Sequence, residues 1–174
     1  MGWTLNYQGD IAKEKADRAA ARIYYEESLR AFRELRNGWG IASALSDLAS
    51  LSCDEGDHAQ AHRLYCESIR IFNELGHKRG VARVLESLAT SAMAQLRPEQ
   101  SLRLAGAAAA LRERLGTPLL ASERPRLEKA LETARQKLSN AAGLKAWMEG
   151  WAMPMEQAVL EVMNCDPQAA PNQA

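Results

Sequence analysis

Four side chains that can bind metal ions stand at successive steps of four residues. They are Asp54, His58, His62 and Cys66. On one helix His58 and His62 would share a face, because residues four apart are neighbours on a helix surface. Imidazole and thiolate are ligands of zinc and nickel, so a metal site with Cys66 as a third ligand is one interpretation of this spacing.

Helix geometry and the rest of the sequence count against that metal site. Eight residues along a helix drift by roughly 80°, so Cys66 points away from the direction of His58. Forty residues earlier the stripe is Arg18, Arg22 and Glu26, an ordinary ladder of exposed charges. We therefore interpret the stripe as a solvated helix face, and we predict neither a metal nor a cofactor.

The sequence lacks the motifs of common catalytic centres. It contains no G-x-x-x-x-G-K phosphate loop, no H-E-x-x-H, no C-x-x-C and no G-x-S-x-G. The histidines are His58, His62 and His77, which leaves few choices for a general base. Adjacent carboxylates such as Glu26 and Glu27 do not face each other on a helix. The sequence therefore predicts no catalytic residues and a protein that is not an enzyme.

Composition and charge are typical of a soluble globular protein. Of 174 residues 47% are apolar and 25% charged, which is enough to form a core. The 22 basic residues equal the 22 acidic ones, so no global field attracts nucleic acid or an anionic membrane. The three cysteines show no paired spacing, and we find neither a signal-peptide pattern nor a membrane-spanning apolar run. We expect a cytoplasmic protein that binds neither membranes nor nucleic acid directly.

The chain repeats itself at an offset of forty residues. The segment YYEESLRAFREL at 24–35 returns as LYCESIRIFNEL at 64–75, and a fainter third copy follows. Further matches pair Asp17 with Asp57, Gly40 with Gly80, Leu48 with Leu88 and Ala49 with Ala89. A fixed period of this size is typical of solenoid proteins, in which each unit supplies the apolar surface that its neighbour buries.

Each copy has the pattern of two helices joined by a short turn. In the second copy Tyr65, Ser68 and Phe72 recur at intervals of three and four, as on the apolar face of a helix. Gly56 suits the left-handed position that ends the preceding helix, and Asp57 is a good cap for the next one. Loops of a few residues make the two helices antiparallel.

The repeats account for the first two thirds of the chain, and a different pattern follows. We predict three helical hairpins at about 1–36, 37–76 and 77–116, capping helices at 117–164, and a disordered tail at 165–174. Within the cap, one helix is expected to end near Leu138 and the last to start near Pro154. Trp147 and Trp151 lie in a short segment between them, where we expect both to pack.

The repeated residues resemble the tetratricopeptide pattern. The matching positions are Leu45, Leu48 and Ala49 in the first helix, Gly56 in the turn, and Ala61, Tyr65 and Ser68 in the second helix. The unit here is longer than the usual one of about 34 residues, and HEAT-like units, also near forty, are the alternative. Leu96 and Ala105 depart from the pattern in the third copy. The resemblance implies an all-α fold, a right-handed α-solenoid of antiparallel helix pairs.

The C-terminal third carries a second resemblance. The stretches LRLAGAAAALRERLGTPL, LEKALETARQKL and AWMEGWAMPMEQAVLEVM are similar to the end of large bacterial ATP-binding signalling proteins and of LuxR-type or winged-helix transcription regulators. In those proteins a tetratricopeptide-like array follows an ATP-binding domain. The similarity implies a sensory or regulatory region of a bacterial signalling or transcription-regulator protein.

The tetratricopeptide resemblance also implies where a partner binds, in a concave groove lined by the first helix of each hairpin. The groove positions would be Asn6, Asp10, Ser43, Ser46, Ser50, Arg83, Glu86 and Thr90. Such a polar wall leaves room for a protein or peptide ligand, whose carbonyls or carboxylate can reach Arg83.

Two classes of function follow from the sequence. We expect a non-catalytic protein–protein interaction or scaffold module. The alternative is a small-molecule (inducer) sensing domain coupled to an attached ATPase or DNA-binding domain. A homodimer through the exposed N-terminal hairpin is a further expectation, because no unit precedes it in this sequence.

Overall fold

The computed structural model describes residues 1–119, 121 and 123–164, and these form nine α-helices and no β-strand. The helices are α1 (Gly2–Glu14), α2 (Arg18–Glu34), α3 (Gly38–Asp54), α4 (His58–Glu74), α5 (Lys78–Ala94), α6 (Pro98–Leu115), α7 (Arg124–Gln136), α8 (Asn140–Ala152) and α9 (Met155–Asn164). The all-α prediction is confirmed. In this part of the chain no helix is both long and apolar enough to cross a membrane. The tail predicted to be disordered, 165–174, lies outside the described residues.

Each of the first six helices is followed by a residue with a positive φ angle. Among the described residues these are Ala16, Arg36, Gly56, Gly76, Leu96 and Gly116. Successive members are twenty residues apart. Glycine adopts this left-handed conformation without a steric penalty, as predicted for Gly56, whereas a residue with a Cβ is strained there.

Aspartate side chains cap the helices that follow two of these connectors. The Asp57 carboxylate accepts a hydrogen bond from the backbone N–H of Gln60 at 2.9 Å, which confirms the predicted cap. Asp17 accepts in the same way from the N–H of Ala20 at 3.0 Å. Each cap satisfies a backbone donor that the first turn of a helix leaves without an intrahelical partner.

The described residues fall into two compact units, and the first, Met1–His77, consists of α1 to α4. Helix α1 is antiparallel to α2, because Gly2 lies against Phe32 whereas Gly9, further along, lies against the earlier residue Tyr25. A Cβ added to Gly2 would be 2.7 Å from the Phe32 ring. The two glycines therefore let the aromatic rings of α2 pack directly on the backbone of α1.

A serine closes each of the two hairpins of the first unit in the same way. Ser28 Oγ donates to the carbonyl oxygen of Gly2 at 2.9 Å, and Ser68 Oγ donates to that of Ala42 at 2.7 Å. Both serines are fully buried. Each hydroxyl thus has the partner that a buried polar group requires.

Helices α1 and α3 run in the same direction. Asn6 bonds to Asp47, and two turns later Lys13 pairs with Asp54, so the residue numbers rise together along both helices. The first helices of two successive hairpins therefore lie side by side and contribute to one surface.

The second unit, Lys78–Ala174, contains α5 to α9 in its described part, with α6 packed against the other four helices. Helix α8 approaches α6 closely at two glycines. A Cβ on Gly106 would overlap the carbonyl oxygen of Trp147, and a Cβ on Gly150 would overlap that of Arg103. Because neither glycine has a side chain, the two helix backbones can touch at this crossing.

The segment around Trp147 and Trp151 is a complete helix, α8, rather than the short segment expected from the sequence. The two rings are stacked, with centroids 6.4 Å apart. Trp147 is half-buried, whereas Trp151 remains 36% exposed. Trp147 therefore packs more completely than Trp151, although both were expected to pack.

Candidate functional site

Five of the eight predicted groove residues lie on α1 and α3 in the first unit. Asn6 and Asp10 are on α1, and Ser43, Ser46 and Ser50 are on α3. Ser43 and Ser46 are only 4% and 3% exposed, whereas Ser50 is half-buried. Of the three serines, Ser50 is therefore the one that a partner can readily reach.

Polar side chains connect α1 to α3. Asn6 Nδ2 donates to Asp47 Oδ2 at 2.9 Å. Lys13 Nζ donates to Ser50 Oγ at 2.5 Å and lies 3.3 Å from Asp54 Oδ2. We call the surface formed by Asn6, Asp10, Lys13, Asp47, Ser50 and Asp54 the α1/α3 wall. Asn6, Asp10 and Ser50 of the predicted groove thus share this surface with Lys13, Asp47 and Asp54.

A buried tyrosine holds the remaining aspartate of the wall. The Tyr25 hydroxyl donates to Asp10 Oδ1 at 2.8 Å, and the tyrosine is 1% exposed. Burial, and then the negative charge and hydrogen bond of Asp10, raise the pKa of Tyr25 well above its ordinary value. The charges of Asp47 and Asp54 act in the same direction, so three carboxylates lie near this hydroxyl.

The α1/α3 wall is acidic although the chain as a whole is neutral. It holds the three carboxylates of Asp10, Asp47 and Asp54 and one cation, Lys13, so its formal charge is −2. The side chains of Lys13 and Asp54 are 24% and 29% exposed. A surface that concentrates one sign of charge in this way attracts the opposite charge.

Aromatic rings lie at the end of the wall where α1 and α3 begin. The rings of Trp3 and Trp39 are 4.4 Å apart, and that of His77 is 6.0 Å from Trp39. Trp39 is 46% exposed. We call Trp3, Trp39 and His77 the aromatic edge. An exposed tryptophan face can pack on apolar groups and attract the cation of a lysine or arginine.

The outer part of α1 exposes two large apolar side chains. Tyr7 is 65% and Ile11 52% exposed, one helical turn apart. A homodimer through this hairpin stays a prediction, and this surface is where it would form.

The other three predicted groove residues lie on α5 in the second unit. Arg83 and Thr90 are half-buried, and Glu86 is 7% exposed. Glu86 accepts two hydrogen bonds from Arg112 on α6, at 2.7 Å from Nε and 2.8 Å from Nη2. Thr90 Oγ1 donates to the main-chain oxygen of Glu86 at 3.2 Å. In this structure Glu86 is therefore one half of a buried ion pair.

The hydrogen bonds that Arg112 donates to Glu86 raise the pKa of Arg112, against the opposing effect of burial. The charge of Glu123 raises it further. The guanidinium therefore stays charged, and the two hydrogen bonds offset part of the cost of its removal from water. The pair was not predicted from the sequence. One feature of the sequence could have indicated it. Arg112 stands forty residues after Phe72, so it occupies a position at which the repeat would place a core aromatic residue.

The His62–Cys66 part of the considered metal stripe forms a close contact. Cys66 Sγ lies 3.5 Å from His62 Nδ1. Across the described residues, no group of three or more histidine, cysteine, aspartate or glutamate side chains is placed to hold a metal ion.

Comparisons with family models, with characterised proteins and with solved structures gave no significant match.

Proposed function

We propose that this chain is a non-catalytic protein-interaction module that binds a basic peptide segment on the α1/α3 wall. The observation that carries the proposal is the alignment of three carboxylates with an exposed aromatic edge on two parallel helices. We further propose that the helices form a right-handed tetratricopeptide-like array with a forty-residue period. The spacing of the left-handed residues and the repeated serine contacts support this period. A regulatory role in a bacterial signalling or transcription-regulator protein would fit the resemblance of the C-terminal third.

The charges of the wall define the chemistry of the partner. Asp10, Asp47 and Asp54 favour a segment with two or more lysines or arginines, and Trp39 favours an aromatic or aliphatic residue beside them. A helical or extended segment can place these groups at the required spacing. The earlier expectation that a peptide carboxylate reaches Arg83 concerns the second unit and stays a separate prediction.

The proposal can be tested with a charge-matched pair of variants. Asp47→Asn with Asp54→Asn removes two charges from the wall and keeps the side-chain shape. Glu27→Gln with Glu34→Gln removes two charges from the exposed face of α2. A fluorescein-labelled peptide containing four lysines and one tryptophan is titrated with each protein, and its fluorescence anisotropy is recorded at low and high salt.

We expect the wall variant to weaken peptide binding by roughly two- to thirtyfold, since two partly exposed charge pairs are lost. The α2 variant should bind like the unmodified chain. Binding should also weaken in high salt, because salt screens exposed charges. No saturable binding of the basic peptide, or equal binding of its lysine-to-glutamate counterpart, would refute the proposal.

A further inference from the structure

A cavity of about 210 Å³, partly open to solvent, lies in the second unit. Its lining includes Glu86, Ala105, Ala109, Arg112, Leu131 and Trp147. These residues come from α5, α6, α7 and α8. The wall is apolar except for the Glu86–Arg112 ion pair, so the cavity has an apolar body and one polar patch.

The sequence explains why α6 leaves this space. Its cavity-lining residues stand forty positions after three core residues of α4: Ala105 after Tyr65, Ala109 after Ile69 and Arg112 after Phe72. In α4 all three are at most 1% exposed, so these large side chains are fully packed. The two alanines of α6 are too small to fill the equivalent volume, and the side chains of α7 and α8 form the opposite wall.

The polar patch retains hydrogen-bonding capacity. A guanidinium has five N–H groups. Arg112 uses two of them for Glu86, which is its hydrogen-bond partner among the described residues. The other N–H groups can donate to an acceptor on a bound molecule. Because Glu86 balances the charge of Arg112 and Glu123 adds negative charge nearby, an uncharged acceptor suits the patch better than a carboxylate does.

We propose that this cavity binds a small uncharged molecule with a single ring and one carbonyl or hydroxyl acceptor directed at Arg112. The size fits, since an apolar cavity of about 150 Å³ is sufficient for benzene. The lining also fits, since ligand sites are mostly apolar with a few polar groups that fix orientation. This site is independent of peptide binding on the α1/α3 wall, and it would give the chain a small-molecule sensing function.

Three ring compounds of similar shape test the proposal on the whole chain. Acetophenone has a carbonyl acceptor, ethylbenzene has none, and benzoate is charged. Each is titrated into ¹⁵N-labelled protein, and the dissociation constant is fitted from the amide shifts of Ala105, Ala109 and Trp147. We expect acetophenone to bind with a constant of about 1 mM or lower. Ethylbenzene should bind about fivefold more weakly, because it cannot accept a hydrogen bond, and benzoate should bind more weakly than acetophenone.

Cavity-filling variants locate the site. Ala109→Ile restores the residue type of α4 and should weaken acetophenone binding by at least about tenfold, since the ligand loses its volume. Ala141→Ile, at an exposed position of α8, is the matched control and should bind normally. If circular dichroism shows that Ala109→Ile is unfolded, Ala105→Leu fills the same cavity from one turn earlier.

The outcomes are distinct from those of the peptide experiment, which uses variants of the first unit. Absence of saturable shifts at the cavity residues would overturn the proposal. So would unchanged acetophenone binding in a folded cavity-filling variant, or tighter binding of benzoate than of acetophenone.

Discussion

The Glu86–Arg112 pair can be replaced by residues that the chain itself supplies. Forty residues earlier, the two positions are Ser46 and Phe72. We therefore consider Glu86→Ser, Arg112→Phe and the double replacement. Each single change leaves one charge without its partner in a site where the two side chains are only 9% and 12% exposed.

The expected loss can be worked from this geometry. With charge centres about 4 Å apart and an effective dielectric constant of about 20, the attraction is about 4 kcal/mol. This agrees with the roughly 3–5 kcal/mol that removal of one partner of a buried pair costs. For a chain of this length, the Glu86→Ser melting temperature should fall by roughly 6–20 °C. The double replacement should lose less stability than either single change, because it removes both charges together and leaves neither one unpaired.

Thermal unfolding followed by circular dichroism at 222 nm measures all four proteins of this double-mutant cycle. The losses of stability in the two single variants should be strongly non-additive, because both changes remove the same interaction. If the double replacement loses as much stability as the two single changes together, the pair is not coupled. If Glu86→Ser melts like the unmodified chain, the pair is not buried as described.

Three further predictions concern other parts of the fold. The pKa of Tyr25 is raised above its ordinary value near 10, so the unfolded chain loses this proton first as the pH rises. The free energy of unfolding should therefore fall above pH 10 by about 1.4 kcal/mol per pH unit, and urea titrations of Tyr25→Phe should show a smaller fall. Gly150→Ala should destabilise the second unit by at least about 1–3 kcal/mol through overlap with α6. In contrast Gly143→Ala, where the added Cβ has ordinary contacts, should be neutral or stabilising by up to about 1 kcal/mol in the same urea assay. Leu96→Gly should stabilise by about 0.5–1 kcal/mol, because Leu96 is 66% exposed and has a φ of 60°. Gly56→Leu, the reverse change at an equivalent position, should lower the melting temperature, and equal effects of the two changes would contradict this account.

The sequence predicted those helices and core residues that are determined by neighbouring residues along the chain. Tyr65 and Phe72 recur at helical spacing, and both are 1% exposed in the structure. Asp57 and Gly56 take the cap and left-handed positions that their chemistry favours. Such residues are predictable because the neighbouring residues along the chain decide their conformation.

The candidate sites depend on distant pairings, which spacing along the chain does not specify. The sequence placed Asn6 and Asp10 on a polar wall, but their partners Asp47 and Tyr25 depend on how α1 sits against α3 and α2. From the sequence alone, Arg112 is expected to be an exposed cation. The structure instead places Glu86 beside it. Helix α8 was missed because Gly143 and Gly150 lower the helical propensity of a segment that packing against α6 stabilises.

The twenty-residue interval between left-handed residues limits how such a chain can change length. One residue inserted within a helix turns every later position of that helix by about 100° and moves its apolar face away from its neighbours. Insertion of a whole hairpin of forty residues instead leaves the apolar face and the capping residues of each existing helix in place. Lengthening by duplication of complete hairpins, spliced at a connector such as Gly56–Asp57, is therefore the route that natural descent or protein engineering can take without rebuilding the core.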